Sequence, residues 1–121
     1  MLSLSETIIQ QFSALFPLEN KQAQIAMATV LLNYAVAFTS RTVSKESQVT
    51  CLSLCLLFLQ GMTDSEARFR NMVTLGTLLV SDASNCHEAK KLDAREKIDA
   101  VKMLDTSEKV QNCAQALLHG L

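Results

Sequence analysis

The sequence has no tryptophan, one tyrosine, one proline and three glycines in 121 residues. Gly and Pro supply the backbone angles that tight hairpin turns need, so their scarcity leaves little room for an antiparallel β architecture. An excess of charge of one sign is missing as well: 11 Lys and Arg stand against 12 Asp and Glu, a formal net charge of −1. Bulk electrostatics therefore draws the chain neither to nucleic acid nor to an anionic membrane surface. No apolar run reaches the ~18 residues that a membrane span requires. The longest candidate, Ala23 to Phe38, is interrupted by Gln24, Thr29 and Asn33. The opening Met1-Leu2-Ser3-Leu4-Ser5-Glu6 carries no basic stretch, so no secretory leader is expected.

Motifs of common chemistries are absent too: there is no P-loop, GxSxG, HExxH or GxGxxG. Cys86-His87 is the one close Cys/His pair, but neighbours on a helix point about 100° apart, a poor placement for nucleophile and base. The four cysteines, at 51, 55, 86 and 113, lack CxxC spacing. A zinc site would need Cys51, Cys55, Cys86 and a further ligand to converge. Cys51 and Cys55, one helical turn apart, suit buried thiols better than a disulfide framework, which argues for a reducing compartment, cytosol or nucleus. The expectation is a protein that is not an enzyme and holds no metal or cofactor.

Apolar residues make up 49% of the chain and charged residues 19%, the balance of a well-buried globular domain rather than a disordered one. The distribution is uneven. Residues 1–60 carry only Lys21, Arg41 and Lys45 against Glu6, Glu19 and Glu46, whereas residues 61–121 carry eight basic and nine acidic residues. The first half is the greasier one, and part of its surface is expected to meet other protein. Helix signals are dense. Ser3 or Ser5 can cap a first helix ending near Phe16, ahead of Pro17. Asn20 can cap a second from Lys21 to about Thr39, and Ser44 a third from Lys45 to Gln60 with Gly61 as its stop. Thr63-Asp64-Ser65-Glu66 reads as a capping box opening a fourth helix to about Val80. Ser84 can cap a short helix through Lys91. Capping-box patterns at Asp93–Glu96 and Asp105–Glu108 open two more, the last reaching His119. The reading is one all-α domain over residues 1–121.

Overlaying the apolar helices exposes a repeat. Thr29, Arg70 and Gln111 are spaced by 41 residues, and the neighbouring columns agree: Ala28, Phe69 and Val110; Leu31, Met72 and Cys113; Leu32, Val73 and Ala114; Ala35, Gly76 and Leu117. A helical period near 40 residues marks armadillo and HEAT arrays, which stack into an α-solenoid with a continuous binding face. An irregular helical bundle is the plainer alternative. The helices at 21–39 and 64–80 are apolar on most sides, each with a narrow polar seam: Thr29 and Asn33 on one, Arg70, Thr74 and Thr77 on the other, with Gln111 and Gln115 following on the last helix. In a solenoid such a seam lines the groove and can hydrogen-bond the main chain of an extended peptide. Arg70 adds a planar fork suited to a carboxylate or phosphate. The same residues admit a structural reading, in which Asn33 and the threonines satisfy nearby backbone groups and Arg70 pairs with Glu66 four residues before it. Tyr34 can set its hydroxyl at a groove rim with its ring in the core, or be core altogether. Cys51, Leu52, Cys55, Leu56 and Leu59 form a core face, and the mixed-sign stretch Glu88–Lys102 a solvated one.

The wording of the chain adds a family resemblance. Gln24-Ile25-Ala26-Met27-Ala28-Thr29 leads into Leu32-Asn33-Tyr34-Ala35-Val36. Cys51-Leu52-Ser53-Leu54, Glu66-Ala67-Arg68-Phe69-Arg70 and Leu75-Gly76-Thr77-Leu78 follow, then a Ser-Asp-x-Ser-Asn stretch at 81–85. From about Phe16 to Leu121 this order resembles the C-terminal half of the PUL domain. The resemblance implies an armadillo-like fold. It also implies a partner, the acidic C-terminal tail of the valosin-containing AAA+ ATPase of ubiquitin-dependent extraction, received in a basic groove. Arg70, in the matching Phe-Arg motif, is the residue it implies for tail binding, and Asn33 of Leu-Asn-Tyr a second. With a net charge of −1, any basic groove has to be local or incomplete. The expected function is a protein-interaction adaptor in the cytosol or nucleus, its groove lined by Thr29, Asn33, Tyr34, Arg70, Thr74, Thr77 and Gln111. Two other readings stand beside it: a structural or dimerisation module whose apolar first half, above all the helix at 45–60, packs on a second copy or on further repeats, and a thiol enzyme at Cys86.

Overall fold

The computed structural model describes residues 20–39 and 44–121, and the regular structure among them is entirely α-helical. In chain order the helices are α1 (Lys21–Thr39), α2 (Lys45–Gly61), α3 (Ser65–Ser81), α4 (Ser84–Lys91), α5 (Ala94–Leu104) and α6 (Glu108–Gly120). The helix anticipated from Ser3 or Ser5 to Phe16 lies outside the described residues. None of the described helices is long and apolar enough to cross a membrane.

Helix boundaries follow local chemistry where nothing competes for the capping side chain. Asn20 Oδ1 accepts from the amides of Gln22 at 2.7 Å and Ala23 at 3.1 Å. Ser44 Oγ accepts from Ser47 N at 3.2 Å. Elsewhere tertiary contacts claim the side chain first. The cap of α3 is Asp64, which accepts from Ala67 N at 3.0 Å, because the Thr63 hydroxyl is engaged by Gln24. Ser84 lies inside α4, and Asp82 accepts from its amide at 2.9 Å. Asp93 precedes α5 in a left-handed conformation (φ 58°) rather than the extended one of a capping residue, and its side chain makes no capping hydrogen bond. Gly61 is still helical, and α2 stops at Met62, whose backbone is extended and whose side chain is buried.

The helices form two layers. Helix α1 packs mainly on α3, and α3 on α6, while α2 lies behind them against α1, α3, α4 and α5. Contacts between α1 and α3 advance together along both helices, Gln24 meeting Asp64 and Thr29 meeting Arg70, so the two run parallel. Ser65 meets Asp105, and Gly76 lies beside Leu117, which gives the same sense for α3 and α6. Parallel helices recurring about 40 residues apart, with connecting helices behind, make an α-solenoid of the armadillo type. Of the aligned columns, Ala28, Leu31, Ala35, Met72, Val110, Ala114 and Leu117 are in the core, whereas Leu32, Phe69, Val73 and Cys113 are only partly buried.

Helix α2 corrects one expectation. Its apolar residues Cys51, Leu52, Leu54, Cys55, Leu56, Phe58 and Leu59 are buried within the chain, because α2 packs against α1 and α3 as well as against α4 and α5. Leu57 alone among its large apolar residues is exposed, so α2 offers no apolar face for a second copy. Cys51 and Cys55 are free and buried, as their spacing suggested.

Successive turns are joined by buried polar side chains. Gln24, 1% exposed, accepts from the amides of Thr63 and Asp64 at 2.9 Å each and donates to Thr63 Oγ1 at 3.0 Å. One repeat on, Ser65 Oγ donates to both carboxylate oxygens of buried Asp105 at 3.0 Å. In the rear layer Lys45 donates to Ser84 and Asn85. Truncating Gln24 strands two part-buried amides, those of Thr63 and Asp64, at about 1–3 kcal/mol each at most. Gln24→Ala should therefore lower stability in urea denaturation by about 3 kcal/mol. A loss below about 1 kcal/mol would show that water replaces the amide there.

Candidate functional site

The layer formed by α1, α3 and α6 carries the polar seam. Thr29 Oγ donates to Ile25 O at 2.8 Å and accepts from Arg70 Nη1 at 2.7 Å, a contact spanning one full 41-residue repeat. Arg70 Nε donates to Glu66 Oε1 at 3.0 Å. Both readings of Arg70 thus hold at once: it pairs with Glu66 and reaches across to the neighbouring repeat. From α6, Lys109 Nζ lies 3.3 Å from Glu66 Oε2 and 4.0 Å from the centre of the Phe69 ring. The side chains of Glu66, Arg70 and Lys109 keep 38%, 37% and 53% of their surface exposed. Hydrogen bonds from Arg70 and Lys109 hold the Glu66 carboxyl below its usual range, so it is ionised at neutral pH. Two cations facing one carboxylate leave a local charge of +1 on a chain that is nearly neutral overall.

The remaining seam residues divide. Asn33 is exposed one turn beyond Thr29, and Tyr34 is half-buried beside it. Thr74 is fully buried and donates to Arg70 O at 3.1 Å, which places it beneath the seam rather than on it. The reason is rotation: on α3 the exposed stripe passes through Glu66, Arg70, Val73 and Thr77, and position 74 turns toward the core. Thr77 is half-buried and donates to Val73 O at 2.8 Å. Gln111 donates to Asp105 O at 2.8 Å, tying the loop before its own helix. The structure brings together Thr29, Arg70, Glu66 and Lys109; Asn33 lies one turn along α1 from Thr29, and Gln111 serves the turn before its own helix.

Sequence reasoning missed Lys109, and it missed an open groove of about 780 Å³ between α3 and α6. Val73, Gly76, Thr77, Val80, Cys113 and Ala116 line it. Its signal was in the aligned columns: Gly76 stands where the adjoining repeat has Leu117, a position with no side chain to fill the seam. Burial pushes the Cys113 thiol up, so this wall stays uncharged. Among the described residues no group of His, Cys, Asp or Glu could hold a metal ion.

The start of α6, and with it Lys109, is held by Asp105. Arg68 Nη1 donates to Asp105 Oδ2 at 2.9 Å while Arg68 Nε donates to Met62 O at 3.0 Å, and Ser107 N donates to Asp105 Oδ1 at 2.8 Å. Burial opposes ionisation of Asp105, but Arg68, the Ser107 amide and the Ser65 hydroxyl together outweigh it and hold the carboxyl below the ordinary aspartate value. The carboxylate is lower in the folded than in the unfolded chain, so its contribution is complete above about pH 4 and is lost as pH falls through the folded value. Asp105→Asn should cost about 3 kcal/mol near pH 7 by leaving Arg68, whose side chain is only 14% exposed, without its partner charge. Urea denaturation at pH 7 and pH 3 checks this: the gap between the two proteins should shrink at pH 3, and an unchanged gap would mean the negative charge is immaterial.

Comparison with known proteins places this geometry in context. The family model described as PUL domain matches residues 1–116. Phospholipase A-2-activating protein of Xenopus laevis is 31% identical over 116 residues, an alignment that covers 96% of this chain and 14% of that protein.

Proposed function

The chain belongs to the PUL domain family, and from that premise we propose that this protein-interaction module binds the acidic C-terminal tail of the valosin-containing AAA+ ATPase. In that role it would act as an adaptor for ubiquitin-dependent protein turnover, in the cytosol or nucleus. The observation that carries the reading is the cluster on the α1–α3–α6 layer. Arg70 is fixed by Glu66 and Thr29, and Lys109 approaches the same carboxylate, so two donors are held in place on a face open to solvent. A tail carboxylate can join this cluster because the cations outnumber their counter-ion. With Nε given to Glu66 and Nη1 reaching Thr29, Arg70 offers the carboxylate its remaining guanidinium N–H donors, and fixing the side chain beforehand lowers the entropy lost on binding. Asn33, exposed one turn from Thr29, adds a main-chain hydrogen-bonding group on the same side. The work of such a site is binding and register, not bond making.

Fluorescence anisotropy with a labelled C-terminal tail peptide of the ATPase tests the reading. Binding should be saturable and should weaken as salt is raised. Arg70→Ala should reduce affinity roughly 10–100-fold, the worth of a charge-assisted hydrogen bond at about 1.5–3 kcal/mol. Absence of binding by a chain that circular dichroism shows to be helical would refute the proposal.

A further inference from the structure

Each cation of the cluster is held twice. Arg70 gives Nε to Glu66 at 3.0 Å and Nη1 to Thr29 Oγ at 2.7 Å. Lys109 lies 3.3 Å from Glu66 and 4.0 Å from the centre of the Phe69 ring. Glu66 is the holder that the two share, with one carboxylate oxygen to each. The other two holders, Thr29 and Phe69, are uncharged. The layers do not depend on Glu66 either. Ser65 and Arg68 fix the start of α6 through Asp105, and partly exposed ion pairs add little to stability. Positioning is thus provided for without Glu66, and what Glu66 adds to the cluster is negative charge.

We infer that Glu66 is an internal competitor, which holds the cluster below the affinity for an acidic peptide that its two cations would otherwise give. This deepens the tail reading and rests on it. The geometry supplies two causes. Glu66 fills the Nε edge of the Arg70 guanidinium, so an entering carboxylate finds one donor there instead of the pair that makes a two-bond contact. Glu66 also stays close to any carboxylate that reaches both cations, and like charges at short range repel. Against these stands the entropy saved by holding two long side chains still before binding. Thr29 and Phe69 keep part of that saving when the charge on Glu66 is removed. The competing effect is therefore the larger one, and neutralising Glu66 strengthens binding.

The probe is the labelled tail peptide, titrated against the wild-type chain, Glu66→Gln and Glu46→Gln. Gln keeps the size of the side chain and an acceptor oxygen for Arg70 but carries no charge. Glu66→Gln should bind about tenfold more tightly, and its affinity should fall more steeply as salt is raised. Glu46 is exposed on α2, behind the layer that carries the cluster. Its replacement changes the net charge equally, yet should alter affinity less than about threefold, because distant exposed charges are screened. In the Arg70→Ala background the gain from Glu66→Gln should shrink, since the two side chains are in contact. Affinity of Glu66→Gln equal to or below that of the wild type would overturn the competitor, make Glu66 a positioning residue and leave the tail reading standing. Equal gains from Glu66→Gln and Glu46→Gln would overturn it as well, by showing that net charge alone matters. Loss of the cooperative thermal melt in Glu66→Gln would do the same, because the fold would then need the carboxylate. Failure of both the wild type and Glu66→Gln to bind would overturn both readings.

Discussion

Gln24 performs the operation on which the architecture depends: a side chain of one repeat captures the backbone amides of the turn that opens the next. An α-solenoid must bend the chain sharply before each inner helix, and every such bend exposes amides with no helical partner. Near the core those amides need acceptors, since an unpaired buried donor costs more than a formed bond returns. Gln24 supplies the acceptor for the turn at 63–64. At the next turn Asp105 itself collects Ser65, Arg68 and Ser107. The chemistry differs, but the joined segments are again about 40 residues apart. Apolar burial drives the layers together without choosing a register. These directional bonds choose it, because sliding one repeat past the next by a residue would leave buried amides or a buried arginine without a partner.

The register set in this way also builds the exposed face. Arg70 reaches Thr29 because α1 and α3 are parallel and in step, and Lys109 reaches Glu66 because Asp105 holds the start of α6 against that of α3. The result is a cationic cluster on a chain whose total charge predicts none. Net charge averages over the surface, whereas recognition depends on a few side chains brought onto one strip. Glu66 has two roles in this arrangement. It holds both cations in place before any ligand arrives, and it lowers the positive potential that a ligand meets.

Much of the fold could be read in advance because α-helical periodicity and capping are local. The helices Lys21–Thr39, Lys45–Gly61 and Ser65–Ser81 match their expected spans closely, and the 41-residue alignment of Thr29 with Arg70 is realised as a hydrogen bond. Capping was legible where the side chain had no distant competitor, as at Asn20 and Ser44. It failed at Thr63, whose hydroxyl is engaged by Gln24 across the repeat, and at Asp105, which binds Arg68. Of the candidate site residues, Arg70 and Thr29 came together as anticipated. Thr74 turned inward, because helical rotation over four residues exceeds one turn by enough to move it off a narrow stripe.

By itself, then, the amino-acid sequence determined an all-helical repeat protein, its period, its free and buried thiols at 51 and 55, and its membership of the PUL family, since these rest on local pattern and on order along the chain. Tertiary structure alone decided that α2 is enclosed and offers no face for self-association, that Lys109 joins Arg70 at Glu66, and that Gly76 opens an apolar trough beside them. Each of these depends on which side of a helix faces a neighbour more than 30 residues away, and that is set by the buried bonds between repeats rather than by any local run of residues.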